Sequence, residues 1–83
     1  MAAFPHVVKL YEGSKHLGDK RVHLNPRSAR VLRKLLVRWA TERNGTDDFD
    51  LSRFRIDIHS PKDQRVISTF TVDEDGDDLL TVL

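Results

Sequence analysis

The sequence predicts an α+β domain of order ββαββ(β), with one long amphipathic helix packed on a small sheet. Three observations predict it. Residues 26–43 carry helical hydrophobic periodicity with no Gly or Pro after Pro26. Segments of alternating, β-prone residues stand on both sides of that stretch. Clusters of turn-forming residues separate those segments at short intervals. With 83 residues and 39% hydrophobic content, the chain reads as one domain over 1–83, because neither half can bury a core alone.

Val7 to Tyr11 is β-prone. Glu12-Gly13-Ser14 and Gly18-Asp19 then punctuate the chain, and Lys20 to Leu24 alternates Arg21 and His23 with Val22 and Leu24. The expectation is an antiparallel hairpin with a long polar tip. Asn25 suits an N-cap, Pro26 suits the first helical position, and Asn44-Gly45 supplies a left-handed stop. A helix over 26–43 would be about 27 Å long. Ala29, Leu32, Leu35, Leu36, Trp39 and Ala40 gather on one face, with Arg27, Arg30, Lys34 and Arg38 opposite and Arg33 at the margin.

Beyond the helix, residues 45–52 read as a polar, acidic loop from which Phe49 and Leu51 tuck back onto the core. Arg53 to His59 alternates, with Phe54, Ile56 and Ile58 inward and Arg55, Asp57 and His59 outward. Ser60-Pro61-Lys62-Asp63 is a turn, and Arg65 to Val72 is again a strand. After the acidic turn Asp73–Asp78, Leu79 to Leu83 reads as a last short strand, an aggregation hazard if left exposed. Two arrangements satisfy this order. One is an antiparallel sheet with the helix on one face; the other sets the last strand parallel beside the first.

The formal net charge of +1 conceals a segregation. Residues 1–44 hold ten Lys/Arg against three Asp/Glu, and residues 45–83 hold four against ten. Such a distribution points to a surface that meets a polyanion or an acidic partner. The chain has no cysteine, so disulfides and thiolate metal sites are excluded; a reducing, cytoplasmic setting is expected. The apolar runs are far shorter than the roughly 20 residues a membrane helix needs. Met1 to Val8 lacks a basic region followed by an apolar one, so no signal peptide is expected.

The basic helix face is the leading functional candidate. Arg27, Arg30, Arg33, Lys34 and Arg38 are spaced to track phosphates, and arginine grips phosphate bidentately. The same face could instead dock on an acidic protein surface, or be solvated helix surface with no ligand. No base-reading motif accompanies it. Leu36 and Trp39 are core anchors whose alternative role is a homodimer interface.

Asp73–Asp78 lacks the frame of a calcium loop and is expected to be a solvated turn, or one that screens the basic helix or pairs with the helix of a neighbouring copy. His6, His16, His23 and His59 show no metal spacing. Asp57, His59 and Ser60 are the residue types of a hydrolytic triad, but Ser60 points away from the Asp57–His59 face and no nucleophile elbow surrounds it. No catalytic residue, metal, cofactor or small-molecule substrate is therefore expected, and the chain reads as a non-enzymatic binding or regulatory module.

Two resemblances bear on this reading. Asp75-Gly76-Asp77-Asp78-Leu79-Leu80-Thr81-Val82-Leu83 resembles the closing turn and strand of ubiquitin-like β-grasp domains, which implies the parallel arrangement. Leu24-Asn25-Pro26-Arg27-Ser28-Ala29-Arg30-Val31-Leu32-Arg33-Lys34-Leu35-Leu36-Val37-Arg38-Trp39 resembles a segment in the amino-terminal oligomerisation domain of actinobacterial nucleoid-associated, xenogeneic-silencing proteins. There a helix carries Ala, Leu-Arg, Leu and Trp at the spacing of Ala29, Leu32-Arg33, Leu36 and Trp39. That resemblance implies dimerisation through the hairpin and helix, or association with such a silencer. It does not imply minor-groove reading, because the Arg-Gly-Arg module is missing here. The small, cysteine-free format also resembles accessory proteins of phages and mobile elements.

Overall fold

A computed structural model describes residues 4–46 and 48–83; the readings made on Met1–Ala3 and Asp47 lie outside the described residues. Among the described residues five strands and one α-helix form an α+β domain: β1 (Phe4–Glu12), β2 (Lys15–Leu24), α1 (Ala29–Asn44), β3 (Phe54–His59), β4 (Val66–Val72) and β5 (Asp78–Val82), with a short 3-10 turn over Leu51–Arg53 before β3. The sheet order is β2-β1-β3-β4-β5, and every neighbouring pair is antiparallel.

Of the two arrangements, the antiparallel one forms. β3 takes the free side of β1, so the last strand cannot stand there, and β5 instead pairs with β4 at the edge. Short links explain this outcome, since turns over 60–65 and 73–77 can only join antiparallel neighbours. β2 and β3 both flank β1 antiparallel to it, so they run parallel to each other. Parallel strands need a long crossover, and α1 supplies it.

Both ends of α1 follow from local chemistry. Ser28, not Asn25, is the N-cap: its hydroxyl accepts a hydrogen bond from the Val31 amide. Asn25 is used one step earlier, where its side-chain oxygen accepts from the Arg27 amide and its carbonyl accepts from the Ser28 amide. The two capping residues thus act in sequence, and the helix has 16 residues, about 24 Å. At the other end Gly45 adopts φ 80°, a left-handed conformation, and its amide closes on the Thr41 carbonyl.

The hairpin tip is tighter than expected. Gly13-Ser14 alone forms the turn, with Glu12 paired to Lys15 and Gly13 at φ 61°. Gly18 lies inside β2, where an added Cβ would sit 3.6 Å from Trp39 Cζ2, ordinary contact distance. A register shift between Leu10 and Tyr11 absorbs the extra residue of β2.

The core lies between α1 and one face of the sheet. Val8 and Leu10 of β1, Leu24 of β2, Phe54, Ile56 and Ile58 of β3, and Phe70 and Val72 of β4 meet Leu32, Leu36, Trp39 and Ala40 of α1. Phe49 and Leu51 do tuck back, and Phe49 meets the Phe54 ring edge-on at 5.4 Å. On the opposite face the strands present polar side chains, as alternation requires. Arg55 there lies over the Tyr11 ring at 4.5 Å and pairs with Asp57 at 3.0 Å.

Candidate nucleic-acid interface

α1 packs its apolar stripe on the sheet and turns the opposite side to solvent. Arg30, Lys34 and Arg38 recur every four residues on that side, about 6 Å apart along the axis. All three are exposed, and so is Arg27, which sits in the turn before the helix rather than on it. None of these four makes an ion pair with a described residue.

Arg33 departs from the row. It is half-buried, and its Nη1 donates to the Gly76 carbonyl at 2.9 Å and to the Asp78 carboxylate. The acidic turn therefore docks on the basic helix at one residue. Its shape is set locally: the Asp73 carboxylate accepts from the amides of Asp75 and Asp77, both at 2.9 Å, and Gly76 adopts φ 86°. One turn on from Arg33 is Val37, 40% exposed; with Arg33, Lys34 and Arg38 it lines a shallow groove.

Leu36 and Trp39 take no part in this surface. Leu36 is fully buried and Trp39 is 6% exposed, with Lys20 Nζ 5.1 Å from its ring. Both pack inside the monomer core, the first of the two roles expected of them.

Asp57, His59 and His6 each have a polar neighbour. The Asp57 carboxylate is held by Arg55, and His59 Nδ1 lies 2.9 Å from the Gln64 carbonyl, so Asp57 and His59 do not pair as a triad requires. His59 is 8% exposed despite its outward strand position, because the 60–65 turn folds over it. His6 Nδ1 lies 2.7 Å from the Phe4 carbonyl. Among the described residues no group of three or more His, Asp or Glu could hold a metal ion. No described helix is long and apolar enough to cross a membrane.

Two features of the surface escape sequence reasoning. Lys9 and Arg21 meet in a pocket of about 190 Å³ on the open sheet face, floored by Val7 and His59, a juxtaposition that needs the strand register. The choice of Arg33 as the residue that receives the acidic turn likewise depends on a contact 45 residues away in the chain. No protein-family model, curated protein or solved structure matches the chain.

Proposed function

We propose that this protein is a non-enzymatic binding module that associates with duplex DNA through the solvent face of α1 and the turn before it. Arg27, Arg30, Lys34 and Arg38 are the phosphate-contacting groups. One observation carries the reading: these four cations are exposed along one side and have no anionic partner among the described residues. A duplex offers a phosphate charge about every 1.7 Å of its axis, and each cation that neutralises one releases a condensed counterion. Binding of this kind positions the protein on DNA without reading sequence, which agrees with the lack of a base-reading motif. A regulatory role in the cytoplasm goes with this reading.

The test is fluorescence anisotropy on a labelled duplex of arbitrary sequence across a salt series. Four phosphate contacts give a slope of log K against log salt of about −3.6, a loss of about 150-fold between about 50 and 200 mM. Absence of binding at the lower salt refutes the proposal.

A second reading, docking on the acidic surface of another protein, is favoured by Val37. An apolar residue among Arg33, Lys34 and Arg38 suits a protein surface and gains nothing from a phosphate backbone. Co-precipitation with and without nuclease separates the two, since only a direct protein contact survives digestion.

A further inference from the structure

The two edges of the sheet are finished differently. β2 carries Lys15, His16, Asp19, Lys20 and Arg21 and a register irregularity, which are the devices that keep an edge from pairing. β5 has only Asp78, at its first position, and no register irregularity. No charge lies between Leu79 and Leu83, and Leu79, Val82 and Leu83 are 47%, 47% and 72% exposed. The strand expected from the sequence does form, but on an unguarded edge rather than within the sheet.

The free backbone groups of that edge can be named. The Leu83 amide donates to the Ile67 carbonyl at 3.0 Å, so Leu83 faces β4. In an antiparallel ladder the N–H and C=O of a residue point the same way and alternate along the strand. Thr81 and Leu79 therefore also face β4, whereas Asp78, Leu80 and Val82 turn theirs outward.

We propose that β5 pairs antiparallel with β5 of a second copy of this chain, about a two-fold axis at Leu80. In this register Leu80 opposes Leu80, and Asp78 of each copy opposes Val82 of the other. Each of these pairs exchanges two hydrogen bonds, so every outward group of the strand is satisfied. The only charged residue of β5, Asp78, faces a valine rather than its own counterpart, and Arg33 already holds its carboxylate. On the open face Leu79 stands against Thr81 of the other copy. A slip of one residue would bring to the edge groups already bonded to β4, and a slip of two would leave the outward groups of Asp78 or Val82 without a partner strand residue, so this register alone uses all three outward residues. Self-complementarity of both charge and hydrogen-bonding parity is what identifies a second copy as the occupant. The product is a continuous sheet of both copies with the two helices on one side. This inference stands on the edge strand alone and does not require DNA binding.

Sedimentation equilibrium of the full chain across a wide concentration range tests it. The expected mass rises from 9.6 kDa toward twice that value. Val82→Pro removes an outward N–H and no β4 bond, so it should remain monomeric at every concentration with unchanged circular dichroism. Because the chain has no cysteine, the register can be read independently of that variant. Leu79 and Thr81 would face each other as a non-hydrogen-bonded pair, with Cα atoms about 4.5 Å apart and within disulfide reach. Mixing L79C protein with T81C protein should yield the mixed disulfide, whereas each alone, offset by two positions, should yield far less. A wild-type mass that stays at 9.6 kDa throughout overturns the proposal. Unaltered association of Val82→Pro, or equal yields of mixed and like disulfides, also overturns it.

Discussion

Replacing Asp78 with alanine should strengthen DNA binding and steepen its salt dependence. Arg33 lies beside the exposed cationic row, and its guanidinium is engaged by Asp78 and the Gly76 carbonyl. Losing the carboxylate leaves it one neutral acceptor, so a phosphate can compete for it. The row then grows from four contacts to five, and the slope moves from about −3.6 to about −4.5. With no contribution from the fifth contact at 1 M salt, the gain is about 15-fold at 50 mM and about 4-fold at 200 mM. The fold should survive, because the side chains of this pair are 42% and 36% exposed and such a pair contributes at most about 1 kcal/mol. The assay is the anisotropy salt series on wild type, Asp78→Ala and the double variant Arg33→Ala/Asp78→Ala. The double variant should return to the wild-type slope. A uniform gain in affinity with no change of slope would refute the reasoning, because it would show that Asp78 acts by distant repulsion and not by holding Arg33.

The remaining predictions concern stability and titration. Trp39→Ala should cost about 3–5 kcal/mol in chemical denaturation, a large part of what an 83-residue domain has; a stable variant with weakened self-association would instead restore Trp39 to an interface. Ser28→Ala should cost about 1 kcal/mol, read as a lowered denaturation midpoint with unchanged m-value, since it removes the cap on the Val31 amide. The Ser52 hydroxyl and amide hold the Asp50 carboxyl below the ordinary carboxylate value. Its depressed folded pKa means the associated stabilisation is present above the unfolded value of about 3.9 and is lost as pH falls through the folded one. Titration by NMR should show Asp50 below an ordinary Asp, and Ser52→Ala should raise it.

What the sequence discloses and what it withholds divide along the range of the interactions. The alternation of Phe54, Ile56 and Ile58, the stripe from Leu32 to Ala40 and the Gly45 stop are local patterns, and each appears where its period places it. Asn25 and Ser28 are both capping residues, so the pattern alone does not choose between them. The turn that Asn25 closes on Arg27 and Ser28 makes the choice. Gly18 reads as a turn residue, but it lies in a strand against Trp39. The charged face of α1 is legible for the same reason as its apolar face. That Arg33 leaves the row to bind Asp78 is not legible, because residues 45 apart are brought together only by the order of the sheet.

That order also explains why the cationic face stays uncompensated. Residues 1–44 contain three carboxylates, and each is engaged away from the solvent face of α1: Glu12 with Arg53, Asp19 with His16 and Glu42 with Lys20. Neutralisation of Arg27, Arg30, Lys34 and Arg38 would have to come from residues 45–83. There Asp57 and Asp63 pair with Arg55 and Arg65 of their own half, Asp50 accepts from Ser52 and Asp73 caps its own turn. Among the described acids, Asp78 alone forms an ion pair with the helix's basic row, and it takes Arg33. Ion pairs between exposed groups are worth little, so filling the row internally would have added little stability. The same cations offered to a phosphate backbone act together, because each contact multiplies the salt-dependent affinity by a similar factor. Four cations without a partner among the described residues are thus cheap for the fold and strong for a polyanion, and this asymmetry is the physical basis of the binding proposed for the face of α1.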